Sequence, residues 1–481
     1  MDILFITPEI AGYGAEGPTA EAIAALPKAL RGHGHRVTVV TPLWSGIDPQ
    51  RRGLARRLMT VDVEIDGDKV PCELYDGRTT GGVDLLFIGH PELFGGAENM
   101  TDGDDQRVVA ERAAVFARAV LGAADKYDGS FGAIHAHDWP GALAIAFAKQ
   151  DSGLADVPAI LTIHDPSAQG ELAGKDAKAL GLSKKDAKIA EAGGRTNVLA
   201  LGLERADHVT TVSPTYAREL AAAPNGAGLE ERYGALGDKL VGILNGVDSS
   251  VWNPATDPRV QSRFDPMDLA GKARNKTHLQ RAEGFPVRDD VPLLVLLATS
   301  DPSSGFDLFV EIAPKVLRND CQILVVFDGD ESDPLRAKLE ELSDRWPDRL
   351  KVEGHGDGGI THEALAAADL VLVPSRHEPC GFVQMVAHRY GALPVVRRTG
   401  GLADTVVDCD AALETGTGFV FDEATSEDLL AAIRRSFSAF QKVEEIDALK
   451  RRVMRLDHSW ERSARLYERL YRGGSIPEEL S

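Results

Sequence analysis

Positive charge is what this sequence is shortest of. Lys and Arg number 53 against 74 Asp and Glu, a net charge of −21. Polyanion binding relies on basic side chains displacing counterions. With no basic stripe along the chain, the balance excludes nucleic acid and anionic membrane as partners. Cysteine is scarce as well. Cys72, Cys321, Cys380 and Cys409 form no CxxC pair and no zinc-site spacing, which points to reduced thiols and a cytoplasmic location. No apolar run reaches the ~18 residues that a membrane-spanning helix needs. The segment MDILFITPEI carries an acid where a signal peptide would be basic, lacks a small-residue cleavage site, and reads as a buried strand. Internal repeats and long low-complexity stretches are missing too.

What is present is a globular composition, 43% apolar and 26% charged, on a chain of 481 residues with 48 glycines. That length suits two domains of roughly 200 residues or more each. Short apolar strands alternate with amphipathic helices. In the first half the strands are expected at Asp2–Thr7, Val37–Thr41, Val83–Ile88, Ala133–His137, Ala159–Ile163, His208–Val212 and Leu240–Leu244, with helices over Thr19–Arg31 and Asp105–Ala124. A turn-rich junction runs from Asn245 to about Pro266. The pattern then restarts with strands at Pro292–Thr299, Gln322–Phe327, Leu350–Val352, Leu370–Val373, Pro394–Val396 and Gly418–Phe421. Alternation of this kind predicts an α/β protein of two doubly wound, Rossmann-like domains, one over 1–245 and one over 246–457. A closing helix over 458–475 is expected to complete the first domain. Gly170–Gly194, rich in Ala, Lys and Asp, is expected to form surface helices. In open parallel sheets ligands bind beyond the carboxyl ends of the strands, so the residues just after strands are the ones to inspect.

Several of those strand ends share a pattern. His-Ala-His-Asp-Trp (135–139) follows one strand, and Leu-Thr-Ile-His (161–164) with Gln169 and Gly170 follows the next. Ala206–Leu220, Gly242–Asp248 with Trp252-Asn253-Pro254, Val373–Phe382 and Arg397–Val406 come in turn, then Leu456–Trp460 and Tyr467–Tyr471. In content and order these resemble the bacterial glycogen and starch synthases, from about residue 1 to 473. The resemblance implies two domains facing a cleft (the GT-B fold). It implies a retaining transfer of glucose from ADP-glucose to the non-reducing end of an α-1,4-glucan, with no metal or other cofactor. It leaves open whether the chain forms a homo-oligomer.

The resemblance also assigns roles. Glu378 and His164 match residues at the reacting centre. Thr399, Gly400, Gly401 and Leu402 match the diphosphate loop. Two glycines before a helix let backbone approach a ligand, and the N–H groups of a helix start favour anions. Gly17, Asn245, His355, Cys380 and Gly381 fall on the donor side. Asp138, Trp139 and Glu21 fall on the sugar or acceptor side. Read without the resemblance, Glu378 is a helix-start acid and His164 a core histidine.

The sequence departs from the family where phosphate should be gripped. The family's Lys-Thr-Gly-Gly-Leu becomes Ala15-Glu16-Gly17-Pro18-Thr19, and its next Asp becomes Glu21. Proline at 18 also removes an amide. In the second domain the Arg and Lys that hold the diphosphate become Thr299 and Ser304, with Asp301 adding negative charge. His355 stands where the family has a base-stacking aromatic. A charge-assisted hydrogen bond contributes roughly 1.5–3 kcal/mol. Loss of the second-domain pair therefore implies about 3–6 kcal/mol, or 10²–10⁴-fold in rate. Two readings stay open: a synthase of reduced activity or altered donor, and a non-catalytic paralogue that binds glucan or sugar. The spacing Gly12-x-Gly14-x-x-Gly17 hints at a dinucleotide, but it does not directly follow the strand and no acid ends the next one.

Overall fold

The computed structural model describes residues 1–477 except 16, 66, 104, 127–129, 331 and 357, and leaves the side chain of residue 151 undescribed. The chain forms two compact units, one of residues 1–246 with 460–481 and one of residues 247–459. Among the described residues no helix is long and apolar enough to cross a membrane.

In the first unit the strands are β1 (Asp2–Ile6), β2 (Arg36–Pro42), β3 (Ala55–Ile65), β4 (Asp68–Arg78), β5 (Asp84–Gly89), β6 (Ala133–His137), β7 (Ala159–Ile163), β8 (Glu171–Leu172), β9 (Glu191–Ala192), β10 (Arg195–Asn197), β11 (His208–Thr211) and β12 (Leu240–Gly242). Nine of them form one sheet in the order β12-β11-β7-β6-β1-β2-β5-β4-β3. The pairings from β12 through β5 are parallel, and β4 and β3 add antiparallel at one edge. The parallel strands are buried along nearly their whole length, as helices on both faces require. The β3–β4 hairpin was not expected. Only alternate residues such as Val61 and Val63 are buried there, against the helix Gln106–Ala124, so the segment reads as polar. Gly122 on that helix leaves the room Val61 occupies, for a methyl at Gly122 would lie 2.6 Å from Val61 Cγ1.

The insertion after Gly170 differs from expectation. It holds the small antiparallel sheet β8-β10-β9 with a short 3₁₀ turn and one short helix, Lys184–Ile189. Asp186 explains how such a polar stretch folds: its carboxylate is fully buried and accepts from Ser183, Gln150 and Arg205. The helix Trp460–Tyr471 belongs to this first unit, where Ser463 donates to the carbonyl of Leu244.

The second unit carries β13 (Leu293–Thr299), β14 (Gln322–Asp328), β15 (Leu350–Gly354), β16 (Leu370–Val373), β17 (Leu393–Arg397) and β18 (Phe419–Phe421). All six pair parallel in the order β15-β14-β13-β16-β17-β18. At the amino edge of this sheet Asp369 binds Lys276 at 2.7 Å, Lys450 at 2.9 Å and the amide of Leu293 at 3.1 Å. Burial pushes its carboxyl up, but Lys450 and Lys276 outweigh this and hold it well below the usual carboxylate range. Lys272 beside them donates to the carbonyls of Ala366 and Tyr390. A buried charge is tolerated only with such partners.

Both sheets have a point where the chain reverses the direction in which it adds strands. In the first unit it lies between β1 and β6, and in the second between β13 and β16. Neighbouring connections leave to opposite sides there, opening a crevice at the carboxyl ends.

Candidate functional site

The crevice of the first unit is lined by the ends of β1, β6 and β7. Side chains two apart on a strand share a face, so Ala-Ile-His-Ala-His puts both histidine rings on one side. The rings of His135 and His137 stack with centroids 4.5 Å apart, and His137 stacks on His164 at 5.3 Å. His137 Nδ1 lies 3.0 Å from His164 Nε2. His135 Nδ1 is 2.7 Å from the hydroxyl of Tyr471 and its Nε2 is 2.6 Å from Thr162 Oγ1, which bonds Thr210 Oγ1. Burial lowers the basicity of all three imidazoles, bringing His164 to about 4, so they are neutral near pH 7.

Asp138 turns the chain out of β6 with φ of 52°, a left-handed conformation uncommon for a residue with a side chain. Its Oδ1 accepts from the amide of His164 at 2.8 Å and that of Asp165 at 3.4 Å. Burial still dominates and pushes its carboxyl up to about 7. Glu9, after β1, is also raised, first by burial and then by the charge of Asp138. Trp139 is 3% exposed, and a methyl at Gly170 would meet its ring at 2.5 Å. Its indole therefore sits in the core, and any role in sugar binding runs through the Gln169–Gly170 turn it supports. Gln169 donates to the carbonyls of Pro166 and Ala227 and accepts from Asn197.

Also in the first unit, Gly17 has φ of 98° and caps the helix Pro18–Gly32, with nothing within 4 Å of the position its Cβ would take. Glu21 lies half-buried in that helix's first turn, and Asn245 is buried. Glu16 lies outside the described residues.

In the second unit Glu378 follows β16 in a loop ahead of the helix Phe382–Arg389, rather than on the helix itself. Its Oε2 accepts from Ser375 Oγ at 3.0 Å and its Oε1 from the amide of Gly381 at 3.2 Å. Burial raises its carboxyl above the ordinary value against both bonds. Gly381, at φ of 72°, supplies the turn. The Gly400–Thr405 helix start packs onto this loop. A methyl at Gly400 would lie 2.0 Å from the carbonyl oxygen of Glu378, and one at Gly401 1.8 Å from that of Cys380. The amide of Gly401 donates to the Glu378 carbonyl at 3.0 Å. Close packing on the Glu378 loop thus takes the Gly401 amide, which is not a free donor at this helix start. Thr399 caps the helix through its backbone, and Leu402 is buried behind it.

The loop after β13 meets the loop after β16. The amides of Arg376 and His377 donate to the Ser303 carbonyl, and Gly305 passes so close to Pro374 that a methyl would lie 2.2 Å from its oxygen. Asp301 accepts from the amide of Ser303, and Ser304 donates to the carbonyl of Asp301. The nearby cations are engaged. Arg376 forms two bonds with Asp307, at 2.6 and 2.7 Å. Arg397 donates to the carbonyls of Arg376 and Asp422, and Arg398 to the Asp422 carboxylate. His355 follows β15, with Nδ1 3.3 Å from Thr361 Oγ1. No group of three or more metal-ligating side chains occurs among the described residues.

Residues 2–233 match the starch synthase catalytic domain family, and residues 292–438 match the glycosyl transferases group 1 family. A glycogen synthase of an Anaeromyxobacter species is 38% identical, covering 99% of this chain and 100% of its own length. One from Geotalea uraniireducens is 34% identical, with 98% of each chain covered. The chain belongs to the glycogen and starch synthase family. The catalytic domain of starch synthase IV from Arabidopsis thaliana, solved with ADP and acarbose, superposes with a TM-score of 0.88 at 30% identity over 98% of both chains. A sucrose-phosphate synthase from Thermosynechococcus elongatus, TM-score 0.61 at 18% identity, shares the fold. As a family member the chain is a glycogen synthase-type glucosyltransferase of the GT-B fold, using a nucleotide-sugar donor and a glucan acceptor.

Sequence reasoning singled out Asp138 and His164 in the first unit, and the structure brings them together. It likewise brings Glu378, Cys380, Gly381 and the Thr399–Leu402 turn together in the second. It missed His137 and Tyr471 as parts of the first crevice. Their signal was present in the i, i+2 histidines of β6, but the partners lie 27 and 336 residues away in sequence.

Proposed function

We propose that the donor is ADP-glucose and that the chain extends the non-reducing end of an α-1,4-glucan at reduced rate. The carrying observation is Glu378: a partly buried carboxyl, fixed by Ser375 and Gly381, at the switch point of the second sheet. Retaining transfer breaks the bond from the anomeric carbon to the diphosphate and forms one to an acceptor hydroxyl, whose proton departs. Positive charge develops at that carbon, and a carboxylate fixed in advance stabilises it without reorganisation. In this reading His164 and Asp138 bind the transferred sugar. Glu21, Trp139 and Asn245 shape its surroundings. Thr399, Gly400, Leu402, Gly17, His355, Cys380 and Gly381 form the donor's surroundings.

The reduced rate follows from the cations. Thr299 and Ser304 cannot neutralise a diphosphate, and Arg376, Arg397 and Arg398 are committed to carbonyls and to Asp307 and Asp422. The ADP held by the Arabidopsis relative supports an adenine donor. A cytoplasmic location fits four buried cysteines, none of them in a disulfide.

The test compares transfer of labelled glucose from ADP-glucose and from UDP-glucose to glycogen. ADP-glucose should be the better donor. Preference for UDP-glucose would overturn the donor assignment, and glycogen binding without transfer from either would favour the non-catalytic reading.

A further inference from the structure

The two neutral imidazoles His137 and His164 hold two N–H protons between them on four nitrogens. One of those protons lies in the 3.0 Å contact between His137 Nδ1 and His164 Nε2. The position of the other follows from it. If His164 Nε2 is the donor, the second proton sits on His137 Nε2. If His137 Nδ1 is the donor, it sits on His164 Nδ1.

The surroundings of the two outer nitrogens differ. His137 Nε2 is sealed from solvent and has no hydrogen-bond partner among the described residues. A proton there would be an orphaned buried donor, which folded proteins avoid more strictly than an unshared lone pair. His164 Nδ1 also lacks a partner among the described residues, but His164 keeps 8% of its surface exposed and this nitrogen is not among the sealed ones. Ring orientation is fixed on both sides. His137 is sandwiched between His135 and His164. The His164 amide is tied to Asp138 Oδ1.

We infer that His137 is a positioning residue that sets the tautomer of His164, so that His164 offers an Nδ1–H donor to the crevice. The ligand group it suits is a hydrogen-bond acceptor, such as a sugar hydroxyl oxygen or a phosphate oxygen, and not a hydroxyl proton. This inference rests on the proposed role of His164 in the transferase site, and it adds the polarity of that contact. His137 itself touches no substrate and acts by donating to His164 Nε2.

The experiment is nitrogen-15 NMR of the full chain with labelled histidine, which reports for each imidazole which nitrogen carries hydrogen. His137→Leu and His164→Gln supply the assignments. The expected result is hydrogen on Nδ1 of both His137 and His164, by a population factor of about tenfold or more. Hydrogen on Nε2 of both rings would overturn the inference. His137→Asn keeps an amide donor near the Nδ1 position and His137→Leu does not. Asn should therefore preserve the His164 tautomer and hold kcat within about threefold, while Leu mixes the tautomers and lowers kcat about tenfold with little change in KM. Equal kcat in the two variants, with the His164 tautomer unmoved in either, would also overturn it. The NMR result stands whether or not glucose is transferred, so failure of the tautomer assignment is distinguishable from failure of the functional reading.

Discussion

The two units place their chemistry at equivalent points of two parallel sheets, yet they build it in opposite ways. The first unit fills its crevice with side chains: three stacked imidazoles, two threonine hydroxyls and a tyrosine from the closing helix. The second builds its crevice from main chain. Gly305, Gly400 and Gly401 let three loops abut so closely that a carbonyl stands where a methyl would be, and one carboxylate is suspended among them. The difference explains why the chain tolerates Thr299 and Ser304. A loop framework held by backbone contacts keeps its shape when long cationic side chains at its rim are exchanged. A histidine stack would not survive comparable changes.

The sharpest way to break this comparison is to put side chains into the main-chain framework. Gly401→Ala should destabilise the second unit by about 2–4 kcal/mol, because the Cys380 carbonyl is backbone and cannot step aside. Gly17→Ala in the first unit meets open space and should lose only about 1–2 kcal/mol, the net cost of its glycine-type backbone (φ 98°, ψ 175°). Urea unfolding of both variants checks this, and similar losses would refute the distinction.

Next in size is restoration of the lost cations. Thr299→Arg, which restores one of them, should raise transfer from the nucleotide sugar by about 10–100-fold at limiting donor, the worth of one added charge-assisted bond. An unchanged kcat/KM would show that the donor phosphates lie elsewhere.

The smallest effect blurs the comparison, since the second unit also holds a histidine pair, His388 buried and His458 half-buried. His388 Nδ1 lies 3.1 Å from His458 Nε2, and burial lowers the two to about 3 and about 4. The unfolded chain binds their protons below about 6.5 and the folded chain does not. Stability from this pair is therefore full above about 6.5 and is lost as pH falls toward 4, with a slope near 1.4 kcal/mol per pH unit for each proton. Unfolding titrations at pH 7 and 5 should show this slope reduced in His388→Gln.

The pattern of legibility follows the same division. The parallel strands were readable because burial on both faces makes them continuously apolar, and Ala133–His137, Ala159–Ile163 and Leu370–Val373 fall where expected. The β3–β4 hairpin was not, since one face is exposed and Arg, Asp and Glu dominate it. The Gly170–Gly194 insertion read as helical because its strands are only two or three residues long and the buried Asp186 that organises it looks like a surface acid in sequence. At the site, individual residues were legible and their partnerships were not. Nothing local announces that the Gly401 amide binds the Glu378 carbonyl, or that Trp139 is covered by the Gly170 turn. Such contacts join segments far apart in the chain, set by sheet order and loop packing.

Initial-rate transfer of labelled glucose from ADP-glucose to glycogen, run on the native chain, on Glu378→Ala and on His164→Ala, tests the account most directly. It predicts measurable incorporation by the native chain and a fall of about 10²–10⁴-fold in each variant, one in each unit. Incorporation that survives both substitutions, or a native chain that binds glycogen and transfers nothing, would contradict it.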